Sequence, residues 1–298
     1  MKKGDDMRNL KMGLVAVASA LLVSLTACGG SSSGDDGSGA NSQRKVPDSA
    51  LIEPGVLTIS TNATQPPMQF VDGGKVAGMR IELGTKIAEE LGLKPKFVNI
   101  DFAAQIPGLS SGRWDMIDTG MYYSEERAQQ LSMVPYEVSA IAVSVGKDNP
   151  KKIASIDDLA GTRIAAEQGA TEYKTLESIS NELVAKGLDR IDVAGFNDTA
   201  SSYQALAAGQ VDGVAAVQAV VQYYSKQGQF ATAITDISPV AVALGFAKGN
   251  TVLANAVSTT LTELKASGWL DDLFHEYGLR AYPGDMKITT GPVNVAAE

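Results

Sequence analysis

From Val56 onward, short apolar runs alternate with segments whose apolar residues recur every three or four positions, and the alternation happens twice. Such a chain is bound to an α/β architecture, because strands and helices taken in turn bury their apolar faces against one another. Residues 56–60 read as a strand. Residues 81–91 place Leu83, Ile87 and Leu91 on one helical face, with Gly92 where a helix stops. Residues 96–100 return as a strand, 102–109 predict a helix and 114–117 a strand. Ser124 then predicts a helix cap with Glu125 and Glu126 in the first turn. A second series follows Lys147-Asp148-Asn149-Pro150. It has a short helix at 156–159, strands at 163–166, 191–194 and 211–216, a helix at 171–186, and a helix from the Asp198 cap to Ala208. Residues 240–247 read as a strand returning through the core, and 251–266 and 269–277 as helices. Two series and a return segment predict two α/β lobes, with the last helices completing the first lobe. Ligands of such lobes lie at the carboxyl ends of strands, across a cleft.

The start of the chain has another character. Lys2, Lys3, Arg8 and Lys11 precede an uncharged run, 12–27, that is mostly Leu, Val and Ala. This is a signal-peptide pattern, and the run falls short of the roughly 20 apolar residues a spanning helix needs. Leu25-Thr26-Ala27-Cys28 is similar to the lipobox of bacterial lipoproteins, which implies cleavage just before Cys28 and lipidation on it. Cys28 is the single cysteine, so no intrachain disulfide forms, and acylation would cap a thiol otherwise exposed outside the cell. Several acyl chains on one residue give stable anchoring. Residues 29–42 are almost entirely Gly, Ser, Asp, Ala and Asn, a leash that cannot bury enough apolar surface to order itself. The expected organisation is a signal peptide at 1–27 and a lipidated linker at 28–48. Lobe 1 takes 49–140 and 244–298, and lobe 2 takes 141–243.

The balance is acidic, with 34 Asp and Glu against 25 Lys and Arg in 298 residues. Removing the leader, with its four cations, makes the body more acidic still, which excludes nucleic acid as a natural partner. The single histidine, His275, sits in the last helix, no cluster has metal-ligand spacing, and no Walker loop or nucleophile elbow occurs. No cofactor or metal is expected.

Several motifs occur in order across both lobes. In the first they are Thr61-Asn62-Ala63-Thr64-Gln65-Pro66-Pro67, Asp101-Phe102 with Ile106-Pro107, Gly112-Arg113-Trp114-Asp115-Met116-Ile117 and Ser124-Glu125-Glu126-Arg127-Ala128. Asp157-Asp158-Leu159-Ala160-Gly161, Gln168-Gly169-Ala170-Thr171, Gly209-Gln210-Val211-Asp212, Lys248-Gly249-Asn250 and Leu264-Lys265-Ala266-Ser267-Gly268 follow. Over about 55–279 the chain resembles the periplasmic solute-binding proteins of family 3, the polar amino acid receptors of ABC importers. The resemblance implies a type II periplasmic-binding-protein-like fold: two Rossmann-like lobes joined by a hinge.

It also implies a ligand site. Arg127 falls on the residue that grips the ligand carboxylate, for which a guanidinium offers two parallel donors. On spacing alone, an exposed arginine paired with Glu125 or Glu126 near a helix start is the better reading of Arg127. Thr171, after Ala170, falls on a helix N-terminus used for the same carboxylate, although a plain helix cap explains it too. Asn62, Gln65, Phe102, Thr119, Gly120 and Tyr122 fall on positions lining the first lobe. Phe102 serves there as an aromatic wall or as core packing.

Departures from the family pattern bear on the ligand. Where an aspartate usually meets the α-ammonium, this chain has Val217, and an apolar side chain cannot replace that charge. Tyr122 stands for a small hydroxyl residue, Gln65 for an aromatic, Met68 for a phenylalanine and Arg80 for an acid. Glu167 either supplies the missing negative charge or is a solvated strand end. These residues point to a carboxylate ligand whose positive group is absent, displaced or quaternary.

The expected function is capture of an amino acid or related carboxylate-bearing solute by hinge closure, for delivery to an ABC transporter permease. The protein is expected to be a monomer that catalyses nothing. It would meet the membrane only through its lipid anchor, outside the cytoplasmic membrane and on the periplasmic face in a Gram-negative cell. A dehydratase-like enzyme and a solute sensor are the alternatives on this fold.

Overall fold

The computed structural model describes residues 44–295. The expected signal peptide, Cys28 and residues 29–43 lie outside the described residues. The expected linker meets them at Arg44, and Val46 is already buried, with the Lys45 N–H donating to the Leu91 carbonyl at 3.1 Å. The docked chain thus reaches back into the stretch expected as linker.

Along the chain come β1 (Val56–Thr61), the small strands β2 (Thr64–Gln65), β3 (Gln69–Asp72) and β4 (Lys75–Ala77), then α1 (Met79–Glu90) and β5 (Lys94–Asn99). They are followed by α2 (Gln105–Ser110), β6 (Met116–Ile117), α3 (Glu125–Gln130) and β7 (Leu131–Gly146). The second series is β8 (Arg163–Glu167), α4 (Thr171–Ala185), β9 (Asp192–Phe196), α5 (Thr199–Ala207), β10 (Gly213–Val217) and α6 (Gln218–Lys226). The chain closes with β11 (Phe230–Ala247), α7 (Thr251–Ala266), α8 (Trp269–Tyr277) and β12 (Arg280–Ala281).

One sheet runs in the order β5-β1-β6-β11-β7-β10-β8-β9, with β12 added against β7, while β2, β3 and β4 form a separate antiparallel sheet. β1 pairs in parallel with β5 and β6, and β8 in parallel with β9 and β10. The long antiparallel pair β7 and β11 lies between these two parallel groups. This is the mixed α/β, two-lobed architecture the alternation predicted.

The long pair is where the expectations fall short. No strand was expected over β7, and β11 was expected to begin at residue 240 rather than at Phe230. β7 is buried along nearly its whole length, so it shows none of the polar alternation that marks a half-exposed strand, and Pro135 and Glu137 interrupt its apolar run. Helix α6 and the β2-β3-β4 sheet were not read either. The strand expected at 114–117 shrinks to Met116–Ile117, because the Trp114 indole turns inward and donates from Nε1 to the Gln105 carbonyl at 3.1 Å. The strand expected at 211–216 starts two residues later, which makes Val217 its last residue.

Beneath the junction of β6, β7 and α1 lies a buried polar group. Arg80, 1% exposed, pairs with Glu137 at 2.8 Å and also bonds the Tyr136 hydroxyl, which donates to Asp118 at 3.2 Å. Burial pulls the Arg80 pKa down, but the negative charge of Glu137 and its neighbours reverses this and leaves it raised. Burial pushes Asp118 up to about 7 despite the nearby guanidinium. The arginine read from sequence as a departure is thus a structural cation under the cleft floor.

Candidate functional site

The carboxyl ends of the parallel strands converge on one cavity, as expected of open α/β sheets. β1 delivers Asn62 and leads to Gln65, and β6 leads to Thr119, Gly120 and Tyr122. β8 ends at Glu167, and β10 ends at Val217. The cavity walls are Gln65, Phe102, Thr119, Gly120, Tyr122, Arg127, Glu167, Ala170, Thr171, Glu172 and Val217. Every residue expected at the site is therefore brought together except Asn62, which stands behind the wall and bonds Glu167.

Arg127 is held by its own helix start. The Ser124 hydroxyl caps α3 by accepting from the Arg127 N–H at 3.2 Å, which turns the side chain inward. Its Nη1 donates to the Tyr122 carbonyl at 2.8 Å and to the Thr171 hydroxyl at 3.2 Å, and its Cζ lies 5.4 Å from the Phe102 ring centroid. The side chain is 9% exposed and, among the described residues, makes no ion pair. The reading as an exposed arginine paired with Glu125 or Glu126 is overturned: Glu126 pairs instead with Lys174, at 2.8 Å. Burial lowers the Arg127 pKa, with Glu172 and Glu126 opposing.

Helix α4 presents its first turn to the same space. Its cap is Ala170, with no side-chain bond, and Thr171 is the first helical residue, so the reading of Thr171 as a plain cap is also overturned. The Thr171 hydroxyl accepts from Arg127 instead. Phe102 is partly buried, lies beneath the guanidinium and also packs against the hydrophobic cluster that holds Leu109, Trp114 and Tyr123, so it serves both expected roles. The Tyr122 hydroxyl is spent on the Ala140 carbonyl at 2.9 Å, and Thr119 Oγ1 accepts from the Asn62 N–H at 2.9 Å. Gly120 has φ of +74°, and a Cβ there would stand 2.9 Å from Arg80 Nη2, so both conformation and space require glycine.

Glu167 is no solvated strand end. It is 4% exposed, and its Oε1 accepts from Asn62 Nδ2 at 2.5 Å. Its Oε2 accepts from Gln65 Nε2 and from the Thr199 hydroxyl, each at 3.2 Å. Burial, and then the charge of Glu172, push it up to about 8, against the pull of Thr199 and Gln65. Glu172 is 8% exposed, and burial raises its pKa as well.

A model of the bacterial extracellular solute-binding proteins, family 3, matches residues 57–280. The chain belongs to this family. Among the relatives of this family 3 protein, the L-cystine-binding protein TcyJ of Escherichia coli (strain K12) is 26% identical over 229 residues, 76% of this chain and 83% of the relative. ABC transporter arginine-binding protein 1 of Escherichia coli (strain K12) is 26% identical over 71% of this chain and 86% of its own length. Among solved structures, an ancestral arginine-binding protein bound to arginine has a TM-score of 0.69 and 30% identity, over 75% of this chain and 98% of that one. The ancestral amino acid-binding protein AncCDT-1, a precursor of cyclohexadienyl dehydratase, gives 0.66 and 28%, over 75% and 95%.

Within this family 3 site, Glu172 and Thr199 escaped the sequence reading. Glu172 follows Thr171 in the first turn of α4, where an acid is explained by the helix dipole alone. Thr199 follows the Asp198 cap and looks like an ordinary first helical residue. Only the convergence of β8, α4 and α5 shows that Glu172 lines the cavity and that the Thr199 hydroxyl bonds Glu167.

Proposed function

We propose that this chain captures a small carboxylate-bearing solute, an amino acid or a close relative of one, and presents it to an ABC permease. Arg127 carries the proposal. A guanidinium nine-tenths buried without an ion-pair partner is costly, and a ligand carboxylate supplies the partner. The uncapped start of α4 adds backbone donors and the positive end of its dipole on the same side.

The lobes we propose, 49–140 with 244–298 and 141–243, divide β7 and β11 in mid-strand, so the long pair acts as the hinge. Closure brings Asn62 and Gln65 to Glu167, and Arg127 to Thr171. A ligand gripped from both sides stabilises the closed form by its differential affinity. We read the chain as a binding protein rather than an enzyme, since its named relatives are transport binding proteins. Cleavage before Cys28 and lipidation there would hold the body at the outer side of the cell membrane.

The test is a thermal-shift screen of the chain lacking residues 1–27 against amino acids, betaines, opines and simple carboxylates. A ligand that binds only the folded state raises the melting temperature. The proposal expects at least one carboxylate-bearing compound to do so and its amide or ester to fail. A screen in which only carboxylate-free compounds shift the melting temperature would refute it.

A further inference from the structure

Resting on the reading just given, we infer that residues 281–295 form a strap that positions Arg127, with Tyr123 as the positioning residue through which it acts. These residues follow the stretch matched by the family model, which ends at residue 280. They run back along β7 and are fastened on the way. The Tyr282 N–H donates to the Tyr136 carbonyl at 3.0 Å, the Ser258 hydroxyl on α7 donates to the Met286 carbonyl, and the Thr289 N–H donates to the Met133 carbonyl at 2.9 Å. Tyr282 and Met286 are buried. The strap is thus fixed on β7 and α7 before it reaches the mount of the cleft arginine.

Two contacts then reach that mount by separate routes. The Tyr123 hydroxyl donates to the Gly291 carbonyl at 2.7 Å, and the tyrosine itself is buried. Tyr123 stands between Tyr122, whose carbonyl accepts from Arg127 Nη1, and Ser124, whose hydroxyl accepts from the Arg127 N–H. The residue held by the strap is therefore flanked by two of the hydrogen bonds that aim the guanidinium. By the second route, Val293 and Val295 pack on the same apolar cluster as Phe102, the ring beneath that guanidinium.

The Tyr123 main chain is tied as well, since its N–H donates to the Ala241 carbonyl on β11 at 2.7 Å. Main chain to β11 and side chain to the strap, the residue passes little slack to its neighbours. That matters for Arg127, which among the described residues makes no ion pair of its own. Any freedom the side chain keeps before a carboxylate arrives is lost on binding and weakens it, so a mount fixed in advance raises affinity. The strap fixes the mount.

The experiment is residue-resolved amide hydrogen exchange by NMR on the chain lacking residues 1–27, without added solute. The Arg127 N–H is the reporter, with Val214 in β10 and Leu261 in α7 as remote references. Tyr123→Phe keeps the ring and removes only the hydroxyl, and a chain ending at Thr290 removes Gly291, Val293 and Val295. The inference expects Arg127 exchange to rise about threefold or more in Tyr123→Phe and about tenfold or more in the shortened chain, with both references within about twofold. Adding Tyr123→Phe to the shortened chain should change nothing further, because the hydroxyl has already lost its partner. A purely structural role raises exchange at all three amides together. That outcome, or an unchanged Arg127 rate in Tyr123→Phe, overturns the inference. Calorimetric titration then uses arginine, glutamine and glutamate, which share an α-carboxylate and differ in side-chain charge. Any of the three that the intact chain binds should bind Tyr123→Phe about threefold or more weakly, and equal affinity would break the link from strap to binding. Exchange is read without solute, so failure of the strap is distinct from failure of the carboxylate reading, which the thermal-shift screen decides. Tyr123→Phe alone carries the test if the shortened chain does not fold.

Discussion

Glu167 joins the two sides of the cleft, and its environment makes it titrate in an unusual range. Burial and Glu172 push it up to about 8, with Asp198 adding repulsion, while Thr199 and Gln65 hold it down. Asp118, under the cleft floor, is pushed up to about 7. Both groups bind their proton more tightly in the folded chain than in the unfolded one, where they titrate near 4.5 and 3.8. Their stabilising contribution is therefore full below the unfolded values and is lost as pH rises towards 7 and 8. The melting temperature of the ligand-free protein should fall between pH 5 and pH 8 on this account. Glu167→Gln should flatten the upper part of that slope and Asp118→Asn the lower part, as measured by calorimetric scans across the range. A melting temperature that rises steadily to pH 8 in the wild type would count against both assignments.

At the scale of elements, β6, α1 and β7 meet over the Arg80–Glu137 pair, and the loop after β6 rests on it. Arg80 Nε, Glu137 Oε1 and Asp118 Oδ2 are buried without a hydrogen-bond partner, so the group is poised rather than saturated. Removing one partner leaves a bare buried charge. Arg80→Met alone should destabilise by about 3–5 kcal/mol in urea unfolding, and adding Glu137→Leu should recover most of that. If the double variant is no more stable than the single one, the pair is not the source of the loss. Gly120→Ala, which forces a Cβ against Arg80 at positive φ, should cost about 1–3 kcal/mol and weaken ligand binding with it.

How far the sequence went is visible in these same elements. Helices with a polar face, such as α1, α4, α5 and α7, announced themselves within a residue or two. The convergence of Gln65, Phe102, Arg127 and Thr171 was legible from the ordered motifs and the family resemblance they carry. The long strand β7 was not, because burial on both sides erases alternation, and neither was the inward turn of Glu172, since an acid in a first helical turn has a sufficient local explanation. Arg127 shows the difference most plainly. Spacing alone favoured the surface, and only the Ser124 cap, Phe102 and Thr171 in three dimensions fix its direction.

For the whole molecule, the proposed account is of two lobes, a long antiparallel pair between them as hinge, and a set of polar contacts that closure would bring together. Asn62–Glu167, Gln65–Glu167, Arg127–Thr171 and the exposed Lys174–Glu126 pair are those contacts. Asn62→Ala with Gln65→Ala should open the ligand-free protein, read as a larger radius of gyration in X-ray scattering, and ligand should reverse part of the change. An unchanged radius with or without ligand would argue against hinge closure. The proposed lipid anchor is separable from ligand binding: if it exists, Cys28→Ser releases the protein from membranes and abolishes palmitate labelling, while ligand binding persists.

The central claim is that a buried, unpaired guanidinium waits for a ligand carboxylate, and one titration addresses it most directly. The best-bound solute is titrated calorimetrically into the wild type and into Arg127→Ala, with the melting curve of each confirming a folded body. Losing one partner of a buried charge pair costs about 3–5 kcal/mol, so the variant should bind at least about a hundredfold more weakly. An affinity within threefold of the wild type would contradict the account.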